Sequence, residues 1–379
     1  VPACALLIVA AVASAEHVRE LIAKDRWQEA VAEAQVLTQA EPGPAASAAL
    51  GEALYRAGRI DEAGEVLDPL APLAEPPPRG LAQLGLVRAA QGRDEEAAKL
   101  LERAAAAAPE DPWVLLRAAG AAASRARAVE LLNAYLARSA GDDPDRIEGA
   151  RGTVRLYTAL GERKIWVPVA HPERTEIPIK PMVGGGGFVI EASLANKKKI
   201  RLLLDTGSTG LFVVRRAVTK AGYAPLSEET VFAGGGDGRA PSARGMLQRL
   251  ALGGVEFSDA LVTTTTTEFD PQGRIHGVLG LNVFSGYRVG LDLTKGRVVL
   301  EPAAPMTGGT PYWDVGGQLL VRAETAGGPS GLFLLDTGAT RSMLDTDFAA
   351  SVPGSQVVSA AGVRTYGGNV AGATAVRGV

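Results

Sequence analysis

One short motif occurs twice in this chain and constrains most of what it can fold into. Leu202-Leu203-Leu204-Asp205-Thr206-Gly207-Ser208 returns 131 positions later as Phe333-Leu334-Leu335-Asp336-Thr337-Gly338-Ala339. In both copies an apolar run delivers an aspartate directly into Thr-Gly. An apolar strand ending on a carboxylate is unfavourable unless the charge is paired or hydrogen-bonded. Two such strands imply two carboxylates that meet. At average residue usage a given Asp-Thr-Gly falls by chance in roughly one chain of this length in ten, and two copies behind apolar runs are on the order of a thousand times rarer. The fold must therefore bring two similar halves together around residues 205 and 336.

The flanking sequence extends the likeness. Thr209, Gly210 and the apolar run 211–214 follow Asp205, while Thr340, Arg341, Ser342, Met343 and Leu344 follow Asp336. Each segment is expected to turn back after its Gly and leave on an apolar strand. From Phe188 onward the texture is short β-rich runs between Gly-rich turns, predicting strands at 188–194, 200–204, 246–252, 260–267, 287–291 and 297–300. Lys197-Lys198-Lys199 reads as a solvated hairpin turn, and the threonine run 263–267 as strand. Between the two copies lies Gly277-Val278-Leu279-Gly280-Leu281.

On these residues, 188–379 resembles the aspartic peptidases, both the two-lobed pepsin-like enzymes and the smaller retroviral type. The resemblance implies an all-β, two-lobed fold with an aspartic-type endopeptidase activity. It makes Asp205 and Asp336 the catalytic pair and packs Val278-Leu279-Gly280 beside the catalytic loop. Thr206 and Thr337 would interlock the two loops through hydroxyl–backbone hydrogen bonds, with Gly207, Ser208, Gly338 and Ala339 completing the support. A retroviral-type enzyme pairs one motif from each of two subunits; two motifs in one chain imply a monomeric catalytic unit.

The chemistry needs this arrangement. Two carboxyls about 3 Å apart cannot both ionise readily, so they share a proton. One then takes a proton from a water held between them while the other donates to the peptide carbonyl. Ser208 follows the first Gly where Ala339 follows the second. A serine hydroxyl donating to Asp205 would favour its charged form, making Asp205 the base and Asp336 the acid.

A cover over the cleft is the next requirement. Gly234, Gly235 and Gly236 lie in a Gly-rich segment downstream of Asp205 and fit a flap tip; Tyr366 and Gly367 hold a comparable place after Asp336. No second apolar-apolar-Gly element follows Asp336. By internal comparison the second lobe is expected to be incomplete by several tens of residues at Val379, with an open sheet edge, and the chain as it stands inactive or unstable.

The first half has a different period. Gly58-Arg59-Ile60-Asp61-Glu62-Ala63 recurs as Gly92-Arg93-Asp94-Glu95-Glu96-Ala97, with a weaker copy at Asp25-Arg26-Trp27-Gln28-Glu29-Ala30, and Leu67 maps to Leu101. Each Gly is expected to end one helix in a left-handed conformation, and the acidic pair to start the next at its positive end. A helix–turn–helix unit of this length resembles the tetratricopeptide repeat. A fourth unit is expected over 113–135 and a closing helix over 146–160. Such arrays form grooves that hold peptides or partner proteins.

The expected architecture is thus multidomain: a signal peptide (1–15), an α-helical tetratricopeptide-like array (16–165), a Pro- and Gly-rich linker (166–187), and peptidase lobes at 188–302 and 303–379. Gly184–Gly187 precede a strand and lack a following Lys-Ser/Thr, so they do not read as a phosphate loop. The apolar stretch 3–12, too short to span a bilayer, is followed by Ala13-Ser14-Ala15, a pattern suited to signal peptidase. Export to the periplasm or exterior is expected, and Cys4, the only cysteine, would be lost with the signal. That excludes disulfides, thiol catalysis and cysteine-held metals in the mature chain. His17, His171 and His276 are isolated, with no metal-ligand spacing, and no Gly-x-Ser-x-Gly elbow is present. No cofactor is expected. With 39 basic against 42 acidic residues, no nucleic-acid surface is implied. The alternative to a peptidase is a scaffold that binds peptides through the repeats, its β half degenerate.

Overall fold

The structure, a computed structural model, describes residues 14–377 apart from 171, 183–185, 233–238, 271, 305, 326, 340, 361–362, 366–367 and 371–373. The segment expected to be the signal peptide lies outside the described residues up to position 13. The chain divides into two compact units at Arg138/Ser139.

The first unit is helical: α1 (Ala15–Ala23), α2 (Trp27–Ala40), α3 (Pro44–Arg56), α4 (Ile60–Leu67), α5 (Pro78–Ala90), α6 (Asp94–Ala107), α7 (Pro112–Gly120) and α8 (Arg125–Leu136). The sequence period sets its turns. Gly58 and Gly92 adopt φ of 75° and 72°, and Asp25 reaches 57° at the equivalent place in the weaker copy. The amide of the next residue then reaches back along the preceding helix: Arg59 N–H to Leu54 O (2.8 Å), Arg93 N–H to Arg88 O (2.8 Å) and Arg26 N–H to Leu21 O (3.0 Å). This closure satisfies carbonyls that a helix end otherwise leaves unpaired. Each of these arginines also pairs with the Glu three residues on (Glu29, Glu62, Glu96), so the period extends to a repeated surface ion pair. The odd-numbered helices pack on one another, and each is paired with the helix that follows. Buried Ala30, Ala63 and Ala97 close the three copies of the motif where a larger side chain would part the helices.

Helix α9 (Pro144–Leu160) departs from expectation. Read as the closing helix of the array, it belongs instead to the second unit and packs against its sheet, with Leu156 and Leu160 clustered with Met246, Leu226 and Leu261. The residues expected to be linker are also mostly sheet. β1 (Val167–Ala170) pairs with β8 (Val255–Thr265), and β2 (Thr175–Pro181) buries Ile177 and Ile179. Their prolines hid an alternating apolar pattern: Thr175, Ile177 and Ile179 point inward while the residues between them point out.

The remaining strands of the large sheet are β3 (Phe188–Leu194), β4 (Lys199–Leu204), β5 (Leu211–Val214), β6 (Tyr223–Phe232), β7 (Arg239–Leu252), β9 (Gly277–Leu279), β10 (Tyr287–Asp292) and β11 (Arg297–Pro302), with a short helix α10 (Arg215–Val218) after β5. Their order is β10-β11-β2-β3-β4-β9-β5-β8-β7-β6. β3 pairs also with β7, through Ser193↔Ala251 and Leu194↔Leu250, so β3-β4-β9-β5-β8-β7 close on themselves. The inward residues of this ring form one core that includes Ile190, Leu202, Leu204, Val213, Phe257 and Leu279. The turn before β4 follows the reading of the lysine cluster, with Lys197 at φ 63° and Lys199 paired with Glu191.

The second half of the unit holds β12 (Tyr312–Val315), β13 (Gln318–Glu324) and β14 (Ser330–Leu334) in one antiparallel sheet. Helix α11 (Thr346–Ser351) follows, then the pairs β15 (Gln356–Ala360) with β18 (Thr374–Arg377) and β16 (Val363–Thr365) with β17 (Gly368–Val370). The apolar strand expected to leave the second Asp-Thr-Gly is not there. Residues 341–345 are irregular, with Met343 62% exposed, because no described strand lies beside them to supply a ladder. No helix among the described residues is long and apolar enough to cross a membrane.

Candidate active site

Two strands deliver the two aspartates. β4 runs between β3 and β9 with Leu202, Leu203 and Leu204 all buried, and Asp205 is its first residue beyond the ladder, its N–H donating to Leu279 O at 3.0 Å. β14 does the same for Asp336, with Leu335 N–H donating to Leu319 O at 2.9 Å. After each Asp the backbone folds onto the carboxylate. Gly207 N–H donates to Asp205 Oδ1 (2.9 Å), and Gly338 and Ala339 N–H donate to Asp336 Oδ1 (2.7 and 3.1 Å). Short acidic side chains bind amides two residues ahead in this way, which is why an Asp can stop an apolar strand without being stranded there.

The two loops then lock to one another. Thr206 N–H donates to Thr337 Oγ1 at 3.2 Å, and Thr337 N–H donates to Thr206 Oγ1 at 3.0 Å. Each hydroxyl passes its own proton across: Thr337 Oγ1 to Leu204 O at 2.7 Å, and Thr206 Oγ1 to Leu335 O. Every donor and acceptor at this crossing is used. The glycines make the approach possible. A Cβ on Gly207 would sit 2.7 Å from the Asp336 carboxyl carbon, and one on Gly338 would sit 2.5 Å from that of Asp205. Each Gly is thus the floor for the other half's carboxyl.

Asp205 is pushed up to about 6, first by burial, then by the charge of Asp336 and by its hydrogen bond with that carboxyl. Backbone N–H groups of Gly207 and Ser208 pull the other way and lose. The Ser208 hydroxyl expected to hold Asp205 charged makes no hydrogen bond to it. What Ser208 gives Asp205 is its backbone N–H, and burial decides the balance. Asp205 is half-buried where Asp336 is exposed, so the burial that raises proton affinity falls on Asp205.

The Gly277–Gly280 element packs beside the first loop. β9 runs parallel to β4 and antiparallel to β5, and Gly280 N–H donates to Gly210 O at 2.8 Å. A side chain at Gly280 would strike the Ser208 carbonyl. Two supporting residues escaped the sequence reading. Asn282 Oδ1 accepts from Gly210 N–H at 2.6 Å, and Gln318 Nε2 donates to Gly207 O at 2.7 Å from the opposite half. Asn282 could have been found from its place two residues after Gly280; nothing in the sequence marks Gln318.

β6 and β7 form the hairpin expected to carry a flap, but Gly234, Gly235 and Gly236 at its tip lie outside the described residues, as do Tyr366 and Gly367. Of the histidines, His276 Nδ1 accepts from Arg201 N–H at 3.1 Å, His17 lies 3.7 Å from Glu20, and His171 lies outside the described residues. Among the described residues, no group of three or more His, Cys, Asp or Glu is placed to hold a metal ion.

Comparisons with known proteins divide along the same line. Residues 190–283 match the family model of an aspartyl protease, and residues 78–121 match that of a tetratricopeptide repeat. A search of curated proteins returned no match. Among solved structures, the chain is similar to MamA AMB-1 at 19% identity, over 38% of this chain and 77% of that one, with a TM-score of 0.29. PcrH from Pseudomonas aeruginosa matches at 22% identity over 31% and 93%, with a TM-score of 0.27. YrrB, titled a TPR protein with an unusual peptide-binding site, matches at 14% identity over 39% and 76%, with a TM-score of 0.30.

Proposed function

Starting from a chain that carries an aspartyl protease-like domain behind tetratricopeptide repeats, we propose that it is an aspartic endopeptidase whose catalytic pair is Asp205 and Asp336, and that the repeats recruit a protein or peptide. The observation that carries this reading is the reciprocal Thr206–Thr337 lock, which holds two carboxyls against one another. A pair of acids merely capping turns needs no such lock. Because both motifs come from one chain, a single copy supplies the pair.

In this mechanism Asp205 carries the shared proton and Asp336 is the carboxylate. Asp336 accepts a proton from the water between them as its oxygen bonds to the peptide carbonyl carbon, and Asp205 gives its proton to the carbonyl oxygen. The proton gained by Asp336 then passes to the amide nitrogen, and the C–N bond breaks. One hydroxyl of the collapsing diol returns a proton to Asp205. The hairpin β6–β7 covers the bound peptide, and no cofactor or metal takes part. Export accompanies this reading, supported by the apolar stretch 3–12 before Ala13-Ser14-Ala15; N-terminal sequencing of the mature protein that finds residues 1–15 still attached would contradict it.

The test is cleavage of an unfolded protein by the full-length form between acid and neutral pH. Asp205→Asn and Asp336→Asn should each lower the rate by roughly four orders of magnitude, as removal of one member of a catalytic unit does. Because Asp205 holds its proton only up to about pH 6, the rate should fall as pH rises beyond that point. Cleavage that survives both substitutions would end the peptidase assignment and leave the repeats as the working part.

A further inference from the structure

The hairpin β12–β13 of the second half rests on the first catalytic loop. Val315 pairs with Gln318 across a two-residue turn in which Gly316 and Gly317 take φ of 65° and 85°. A turn this tight needs left-handed backbone at both central residues, which glycine supplies without strain. Asp314 Oδ1 accepts from Gly317 N–H at 2.7 Å and fixes it. A Cβ at Gly317 would sit 2.8 Å from Thr209 Cγ2, so the tip lies against the first half. From there the half-buried Gln318 donates through Nε2 to Gly207 O at 2.7 Å.

The equivalent residue of the first half cannot return this bond. Extending the two ladders by one pair places Gln318 opposite Asp336 and Gly187 opposite Asp205. Their separation is the same 131 positions that separate the two motifs. Gly187, at φ 111°, also reaches the opposite loop, but with backbone alone: a Cβ there would meet Thr337 O at 2.8 Å. The first loop thus receives a side-chain donor from the other half, and the second loop receives a glycine.

Gly207 O and Ser208 N–H belong to one peptide unit, and a trans peptide points them in opposite directions. The carbonyl faces Gln318. The N–H faces Asp205, donating to its backbone carbonyl at 3.2 Å and drawing its carboxyl toward the charged form. A hydrogen bond accepted at the carbonyl strengthens the N–H as a donor and fixes the plane in which it points. Asp336 is the titratable group that faces Asp205, and β9, packed beside it, carries no charged residue.

We infer, on the reading of Asp205 and Asp336 as the catalytic pair, that Gln318 is a positioning residue for the reaction. Through the Gly207–Ser208 peptide it orients the Asp205 carboxyl and makes the two aspartates unequal. Its amide bonds the loop, and the loop bonds the acid.

The test uses the full-length form and two readouts, of which a carbon-13 titration of Asp205 needs no cleavage. Gln318→Met keeps the side-chain length and removes the donor. It should raise the Asp205 midpoint by about half a pH unit, a roughly threefold gain in proton affinity. Gln318→Asn, one methylene shorter, should raise it likewise, while Arg322→Ala on the same strand leaves it in place. In cleavage of an unfolded protein, Gln318→Met should lower kcat roughly tenfold and keep KM within about twofold. The falling limb at higher pH should move up with the midpoint, because Asp205 keeps its proton further. Should thermal melts show Gln318→Met unfolded, Gln318→Asn decides. An unmoved or lowered midpoint in a folded variant would overturn the inference, as would a slower rate with an unmoved limb. Absence of cleavage by the unsubstituted chain would end the peptidase reading instead, and the titration would still show whether Gln318 governs Asp205.

Discussion

The two Asp-Thr-Gly copies share a backbone plan and almost nothing else. The first ends a strand whose three leucines are 0–1% exposed, flanked on both sides by other strands. The second ends an edge of a three-stranded sheet, with Leu334 39% and Leu335 48% exposed. Yet the hydrogen bonds between the loops are nearly two-fold symmetric: each threonine amide to the other's hydroxyl, each hydroxyl to a carbonyl of the other half. The lesson is that the triplet sets the loop and its lock, whereas the surroundings set the electrostatics. Asp205 gains its high proton affinity from burial, which the sequence of the motif does not encode.

This contrast can be broken most sharply in the approach strands. Leu203→Ala removes a fully buried side chain and should lower unfolding stability by about 2–5 kcal/mol, whereas Leu334→Ala should cost less than about 1 kcal/mol. Denaturant unfolding of the two variants measures the difference, and equal losses would mean that the halves are equally buried in solution. A smaller asymmetry is expected at the lock. Thr206 is 3% exposed and Thr337 half-buried, so Thr206→Val should cost about 1–3 kcal/mol for the amide and carbonyl it leaves unpaired, and Thr337→Val less.

The smallest effect reports the proton. A carboxyl raised in the folded state binds its proton more tightly there than when unfolded, so ionising it destabilises the fold. For Asp205 this penalty is absent below its ordinary value of 3.8, grows as pH rises and is complete above about 6. Asp205→Asn should therefore stabilise the chain at pH 7.5 by on the order of 1–2 kcal/mol, discounted for its partial exposure, and the gain should vanish below about pH 4. Thermal melts across this range check the sign.

Much of this was legible in the residues. The helical period was written in Gly58 and Gly92, and even Asp25 adopts the left-handed conformation the pattern requires. The loop geometry was written in the repeated triplet, and Val278-Leu279 in its bracket of glycines. What the sequence hid depended on partners far along the chain. α9 has the composition of the array but presents Leu156 and Leu160 to Met246 and Leu261. The prolines of β2 suggested a linker, although this strand sits between β3 and β11 with its prolines on the outward positions. Ser208 looked like a donor because of its type, but orientation and burial decide which group reaches a carboxylate. Gln318 reaches Gly207 across 111 positions, a distance no local pattern encodes.

The most direct test of the central claim is a carbon-13 titration of the carboxyls of residues 205 and 336. The account predicts that Asp205 titrates near 6 and that Asp336→Asn moves this midpoint down, because the neighbouring charge and its hydrogen bond both raise it. An Asp205 midpoint near 4 that ignores the substitution would contradict the pairing of the two carboxyls and everything built on it.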